Sequence, residues 1–192
     1  MQHSDHVALL QPGVPDPGGV WAEFGAGTGA FTLALAELLG PTSTLYAVDR
    51  DAAALREAAR RVAAHTPGLT LVPVTADFTK PLPAPTGPQF GMRVPPLDGL
   101  AGLAGLVMAN ALHFVADRQK DAVVARLKSY LQPGGVFVIV EYNVDKGNLW
   151  VPHPLSFSTW QALARRAGFT HTRLLGTRPS SFLREFYSAA SS

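Results

Sequence analysis

The stretch Val20-Trp-Ala-Glu-Phe-Gly-Ala-Gly-Thr-Gly-Ala30 decides the fold. It begins as a strand, with Val20, Ala22 and Phe24 alternating with Trp21 and Glu23. It turns through Gly25, Gly27 and Gly29, then runs on as Phe31-Thr-Leu-Ala-Leu-Ala-Glu-Leu-Leu39, an amphipathic helix. Glycine tolerates positive φ and leaves no Cβ between the backbone and a ligand. The free N–H groups at the start of the helix face whatever sits there. Working outward, Leu45-Tyr-Ala-Val-Asp49 reads as a second strand ending in a carboxylate. Asp49 follows the last glycine by about 20 residues, the spacing of an acidic residue that bonds a ribose hydroxyl. A nucleoside-containing cofactor is the ligand these features predict.

The flanking segments extend the pattern. Before the first strand, Val7-Ala-Leu-Leu10 predicts one helical turn, and Gln11-Pro-Gly-Val-Pro-Asp-Pro-Gly-Gly19 a loop. After the second strand, Asp51 is placed to cap a helix over about 52–65. Leu69–Ala76 predicts a third strand, and Pro73 within it argues for a sheet edge. Six prolines between Pro81 and Pro96 exclude a long helix over residues 79–98, so this crossover is expected to be an irregular insertion. The repeat Leu100-Ala-Gly-Leu-Ala-Gly-Leu106 predicts a short helical turn, and Leu106–Ala109 a buried strand ending at Asn110. A helix over 116–131 and a turn at Pro133-Gly134-Gly135 come next. Val136-Phe-Val-Ile-Val140 is apolar throughout, as a central strand is. Ser156 or Ser158 caps a helix to about Ala167, ended by Gly168. Thr170–Thr177 and Phe182–Ser188 read as an antiparallel pair.

Strands alternating with helices imply a parallel α/β sheet covered on both faces, in one domain over 1–192. In such sheets ligands bind beyond the carboxyl ends of the strands. Those ends carry the glycine loop, Asp49, Asp77, Asn110 and Tyr142-Asn143, which therefore converge on one rim.

Gly25-Ala-Gly-Thr-Gly-Ala30 also satisfies the dinucleotide fingerprint, so an NAD(P)-dependent oxidoreductase is an alternative, as is a noncatalytic cofactor-binding protein on the same fold. Glu23, just before the glycines, argues against a pyrophosphate and suits an amino group or a sulfonium. Asp77-Phe78 suits an adenine, the carboxylate for its exocyclic amine and the ring for packing.

From about residue 18 to 188 the chain resembles the class I S-adenosylmethionine-dependent methyltransferases. The motifs that carry the resemblance are Glu23-Phe-Gly-Ala-Gly-Thr-Gly29, Val48-Asp49, Ala76-Asp77-Phe78, Asn110-Ala-Leu-His113 and Leu131-Gln-Pro-Gly-Gly135. The resemblance implies a Rossmann-like, doubly wound, seven-stranded sheet of order 3-2-1-4-5-7-6 with strand 7 antiparallel. It implies S-adenosylmethionine as cofactor, with Glu23, Gly25, Ala26, Gly27 and Gly29 on the methionyl part. Asp49 then falls at the ribose, Asp77 and Phe78 at the adenine, and Asn110 beside the methionine moiety, with Arg50 a further cofactor contact. The stretch 79–98 departs from the family's usual short helix.

On the acceptor side, His113 is the candidate catalytic residue, and Tyr142, Asn143, Trp150 and His153 are candidate substrate contacts. Each assignment has a competitor. Asp49 also reads as a helix cap, Asp77 as a turn residue, Glu23 as an arginine partner, and His113 and Trp150 as packing residues. Methyl transfer from a sulfonium rests mainly on alignment of the reactants, so it leaves no conspicuous catalytic constellation. The Asn-Pro-Pro-Tyr type of motif for amino-group methylation is absent. A lid built from residues 1–19, 79–98 and 143–155 is compact, which favours a small-molecule acceptor whose reacting atom the sequence does not specify.

Composition sets the remaining bounds. Apolar residues make up 47% and charged residues 16%, too apolar for general disorder. The net charge of +2 is small, and Arg60-Arg61 and Arg165-Arg166 are short pairs, so no nucleic-acid partner is expected. The absence of cysteine excludes disulfides and thiolate chemistry, and no metal site is expected. No signal-peptide pattern or membrane-length apolar run is present, so a cytoplasmic location is expected. Oligomeric state is left open.

Overall fold

A computed structural model describes residues 1–82 and 102–192. Its strands are β1 (Val20–Phe24), β2 (Thr44–Asp49), β3 (Thr70–Thr75), β4 (Leu103–Ala109), β5 (Leu131–Tyr142), β6 (Thr172–Pro179) and β7 (Glu185–Ser191). They form a mixed sheet of order β3-β2-β1-β4-β5-β7-β6 among the described residues. β1 to β5 pair in parallel, and β7 runs antiparallel to both β5 and β6. The helices are α1 (His3–Leu10), α2 (Ala30–Leu39), α3 (Ala52–His65), α4 (Asp117–Lys128) and α5 (Phe157–Arg166).

Strand alternation sorts the side chains onto two faces. On one face Trp21, Leu45, Val107 and Val138 pack with Leu10, Leu35 and Leu39 under α1 and α2. On the other, Phe24, Tyr46, Leu106 and Phe137 pack with Val124, Leu127, Trp160 and Leu163 under α4 and α5. The same alternation puts Glu23 on the α2 face with Trp21, and Glu141 on the α4–α5 face with Phe137 and Ile139. Pro73 lies in β3, an edge strand, where its missing N–H breaks no ladder on the open side.

Several boundaries differ from the sequence expectations. β4 starts at Leu103, so the described part of the Leu100–Leu106 repeat is strand rather than helical turn. Pairing on both sides makes it so, Gly105 with Trp21 on β1 and with Val136 on β5, and a Cβ on Gly105 would lie 2.3 Å from the Trp21 indole, so only glycine lets β4 pass that ring. Pro133-Gly134-Gly135 is an excursion inside β5, because Leu131 pairs with Leu103 and Val136 with Gly105. α4 ends at Lys128, three residues short of the expected boundary. α1 has two turns and continues into a 3₁₀ turn at Gln11–Gly13. It docks against β7, where the Ser188 hydroxyl donates to the Leu9 carbonyl at 2.6 Å. Most of the expected 79–98 insertion lies outside the described residues. No helix among the described residues is long and apolar enough to cross a membrane.

Candidate active site

The glycine loop is held by its neighbours on both sides. Gly25 and Ala26 donate their N–H groups to the Val48 carbonyl at 2.8 and 3.1 Å, and Arg61 donates to the Thr28 carbonyl at 3.0 Å. Gly25 has φ +81, and a Cβ there would sit 2.4 Å from that of Ala111. Gly27 has φ +51 and open space where its Cβ would be. The first position therefore needs glycine for packing. The second leaves bare backbone beside the cavity.

Carboxylates stand around this loop. Asp49 accepts from Gly27 N–H at 2.8 Å and from Asp51 N–H at 2.9 Å, one on each oxygen, leaving lone pairs on both. Capping of α3 falls to Asp51, which accepts from Ala53 and Ala54. Asp77 accepts from the Thr79 hydroxyl and N–H at 2.6 and 2.9 Å, and the hydroxyl bond is the chief cause that holds its carboxyl below the usual range. Glu23 differs from all of these. It is buried under α2, accepts from the Thr32 hydroxyl at 2.5 Å, and burial pushes its pKa up to about 8. Its observed partner is thus a hydroxyl, not an arginine.

These groups enclose a cleft of about 500 Å³. Gly25, Gly27, Asp49, Arg50, Asp77, Phe78 and Asn110 line it together; Glu23, Ala26 and Gly29 lie behind the lining. Asn110 has the left-handed value φ +51, and its buried side-chain oxygen has no hydrogen-bond partner. Asn110 thus brings an unmet acceptor to the cleft wall. The lining also includes Thr28, Asp51, Ala54, Thr79, Ala111, Phe114 and Val115, which sequence reasoning did not select as contacts. For Ala111, Phe114 and Val115 the available signal was their closeness to Asn110.

The acceptor-side candidates are spread more widely. His113 is buried, and its Nδ1 lies 2.8 Å from Glu141 Oε2. Its ring packs against those of Phe114 and Tyr142, with centroids 4.2 and 5.9 Å apart. Asn143 is committed on both ends: it donates to Glu185 and accepts from the Phe157 N–H at the start of α5. His153 donates its N–H to the His113 carbonyl, while its ring lies 3.6 Å from Asp117. Trp150 is 72% exposed, so it does not anchor a core. None of His113, Tyr142, Asn143, Trp150 and His153 lines the cleft.

The sequence pattern described as a methyltransferase domain matches residues 22–137, and the chain belongs to that family. The match spans the glycine loop, Asp49, Asp77 and Asn110, the residues that build the cleft. No curated protein matches the sequence.

The fold is similar to that of a SAM-dependent methyltransferase from Leishmania major. That structure is 16% identical over 99% of this chain and 72% of its own, with a TM-score of 0.70. It is also similar to the YcgJ protein of Bacillus subtilis, at 11% identity, 98% coverage of both chains and a TM-score of 0.69. A third is the SAM-bound magnesium protoporphyrin IX methyltransferase from Synechocystis, at 15% identity, 99% and 78% coverage and a TM-score of 0.64. The chain spans 66% and 57% of two other similar structures, from Bordetella parapertussis and Nostoc punctiforme.

Proposed function

We propose that this protein transfers a methyl group from S-adenosylmethionine to a small-molecule acceptor. The observation that carries the reading is the charge of the cleft: among the described residues, Asp49, Asp51 and Asp77 line it against one cation, Arg50. Such a lining attracts a ligand bearing a sulfonium and an ammonium. It disfavours a pyrophosphate, since each like-charge contact near 4 Å costs about 4 kcal/mol at an effective dielectric of 20. The unmet Asn110 oxygen supports the same ligand, because it offers an acceptor to an ammonium and nothing to a phosphate.

When bound, S-adenosylmethionine supplies an electrophilic methyl on a good leaving group. The protein's part is to hold and orient. Asp49 would take the ribose hydroxyls on the lone pairs left by Gly27 and Asp51. Asp77 and Phe78 would hold the adenine, and the glycine loop and Asn110 the methionine end. The acceptor would enter past Phe114, toward His113 and Tyr142. Trp150 and His153 belong to the outer rim on this reading, and Asn143 positions the loop. Reactants so aligned gain up to ~7–11 kcal/mol without a catalytic group. A supply of S-adenosylmethionine implies a cytoplasmic setting.

Calorimetry with S-adenosylhomocysteine and NAD tests the assignment. The expected result is tight binding of the first and far weaker binding of the second. Tighter NAD binding overturns it.

A further inference from the structure

We propose that the β4–β7 side of the cleft rim docks on an anionic lipid bilayer, with Leu149 and Trp150 as the side chains that enter it. The proposal goes beyond the methyl-transfer reading and does not depend on it.

The exposed large apolar side chains gather at one end of the molecule. Phe114 stands on the turn after β4, Leu149 and Trp150 on the loop after β5, and Phe182 between β6 and β7, with Met1 beside that last turn. All lie at the end of the sheet where the cleft opens. Leu149, at 87%, and Trp150 are the most exposed of them. Val20 and Leu174, toward the opposite end, are less exposed than any of these. The rings of Phe114, His113, Tyr142 and Phe182 follow one another at centroid distances of 4.2, 5.9 and 6.1 Å, so the turns share one surface.

The loop that displays Leu149 and Trp150 is firmly held. Asn148 Oδ1 accepts from the N–H groups of Trp150 and Val151, each at 2.9 Å, and Asn148 N–H donates to the Val151 carbonyl at 2.9 Å. Further along, His153 N–H donates to the His113 carbonyl at 3.0 Å, and Lys120 donates to the His153 carbonyl at 2.5 Å. Val151 and Leu155 are buried beneath the loop. The turn thus buries a valine and holds a leucine and a tryptophan out in water, forgoing their burial. Tryptophan favours the boundary between an apolar phase and a wet one.

Cations stand between the apolar tips. Arg118 is on the first turn of α4, Lys146 precedes Leu149 by three residues, and Arg184 follows Phe182 by two; all three are exposed. None of the three has an ion-pair partner among the described residues. The acids nearby are engaged: Asp117 holds Lys120, Asp145 accepts from Ser156 N–H, and Glu185 accepts from the Asn143 side chain. The cleft carboxylates Asp49, Asp51 and Asp77 stand at the ends of β2 and β3, on the other side of the rim. An anionic surface therefore meets the β4–β7 side first.

A protein partner fits this surface poorly. A specific interface buries about 800 Å² on each partner and keeps charge out of its core. Here apolar tips on three separate turns alternate with free cations. A bilayer needs no matching shape. It takes apolar tips into the boundary between headgroups and acyl chains, and its anionic lipids attract the lysine and arginines beside them. Phe114 belongs both to this rim and to the cleft lining, so docking turns the mouth of the cleft toward the lipid.

The test is co-sedimentation of the protein, without added cofactor, with vesicles of phosphatidylcholine and phosphatidylglycerol in equal parts and with vesicles of phosphatidylcholine alone. Trp21 and Trp160 are buried, so changes in tryptophan emission report on Trp150. The expected result is binding at least tenfold tighter to the mixed vesicles, with a blue shift and quenching by lipids brominated on the acyl chain. Leu149→Ser and Trp150→Ser should each weaken binding at least tenfold at unchanged Tm, and Lys146→Glu should reduce the preference for anionic lipid. Leu174→Ser, at the far end, should bind as the wild type does. No binding to the mixed vesicles overturns the proposal, as does undiminished binding in folded Trp150→Ser or an equal loss in Leu174→Ser. A doubling of mass in solution that Trp150→Ser abolishes, without vesicle binding, gives the surface to a second copy of the chain and overturns it too. Failure of S-adenosylhomocysteine to bind overturns the methyl-transfer reading alone, since no vesicle measurement uses it.

Discussion

Glu23 sits where burial is the largest influence on its proton, raising its pKa from 4.5 to about 8; the Thr32 hydrogen bond opposes this and the Asp49 charge adds to it. The folded state then binds more protons than the unfolded chain between these two values, so stability falls as pH rises. The contribution is fully present below about 4.5 and is lost progressively up to about 8, a change on the order of a few kcal/mol. Glu23→Gln should flatten this slope, read as urea midpoints at pH 5 and pH 8.5; an unchanged slope would mean that Glu23 is charged in the folded protein. Asp49 makes a separate prediction. Its two backbone bonds shape the loop, and charge-assisted bonds contribute roughly 1.5–3 kcal/mol each. Asp49→Ala should lower S-adenosylhomocysteine affinity at least tenfold in a protein that still folds. Unchanged affinity would reduce Asp49 to a turn residue.

At the scale of elements, the loop between β1 and α2 offers a paired test. Gly25→Ala drives a methyl into Ala111 at a positive φ, so it should destabilise the fold and displace the segment that carries Asn110. Gly27→Ala meets open space, so its cost to the empty protein should be only about 1 kcal/mol of backbone strain. A tenfold loss of S-adenosylhomocysteine affinity in Gly27→Ala would then report the ligand against the backbone; full affinity would move the ligand away from Gly27. These elements also mark what the sequence could disclose. β1, β2 and β5 were legible because alternation or continuous apolarity reflects burial directly, and the glycines and Asp49 were legible by spacing. The start of β4 was not: glycine and alanine carry no strand signal, and the reason for Gly105 is the Trp21 ring on another strand. The carboxyl of Glu141 was visible at a strand end, but its pairing with His113 depends on which face of β5 it occupies beside the turn after β4. No local pattern encodes that register.

For the whole molecule, ligand binding and folding are linked. A ligand that binds only the folded state at a hundred times its dissociation constant stabilises it by about 2.7 kcal/mol. For a chain of this size that is a rise in Tm of roughly 5–10 °C. S-adenosylhomocysteine should produce it in a thermal melt and NAD at the same concentration should not; equal shifts would sink the cofactor assignment. The sheet order has a further effect, on the birth of the protein. β7 is made after β6, yet it belongs between β5 and β6. A ribosome adds about 5–20 residues per second. While it does so, β1 to β5 emerge able to assemble the glycine loop and its carboxylates, with the apolar edge of β5 still bare. That edge stays open to other chains until residues 185–191 arrive to fill the slot, and the Ser188 clasp on Leu9 forms at the same moment. A nascent chain stalled before Glu185 would therefore hold a nearly complete cleft on a sheet with two sticky margins, the form of this protein most in need of a chaperone.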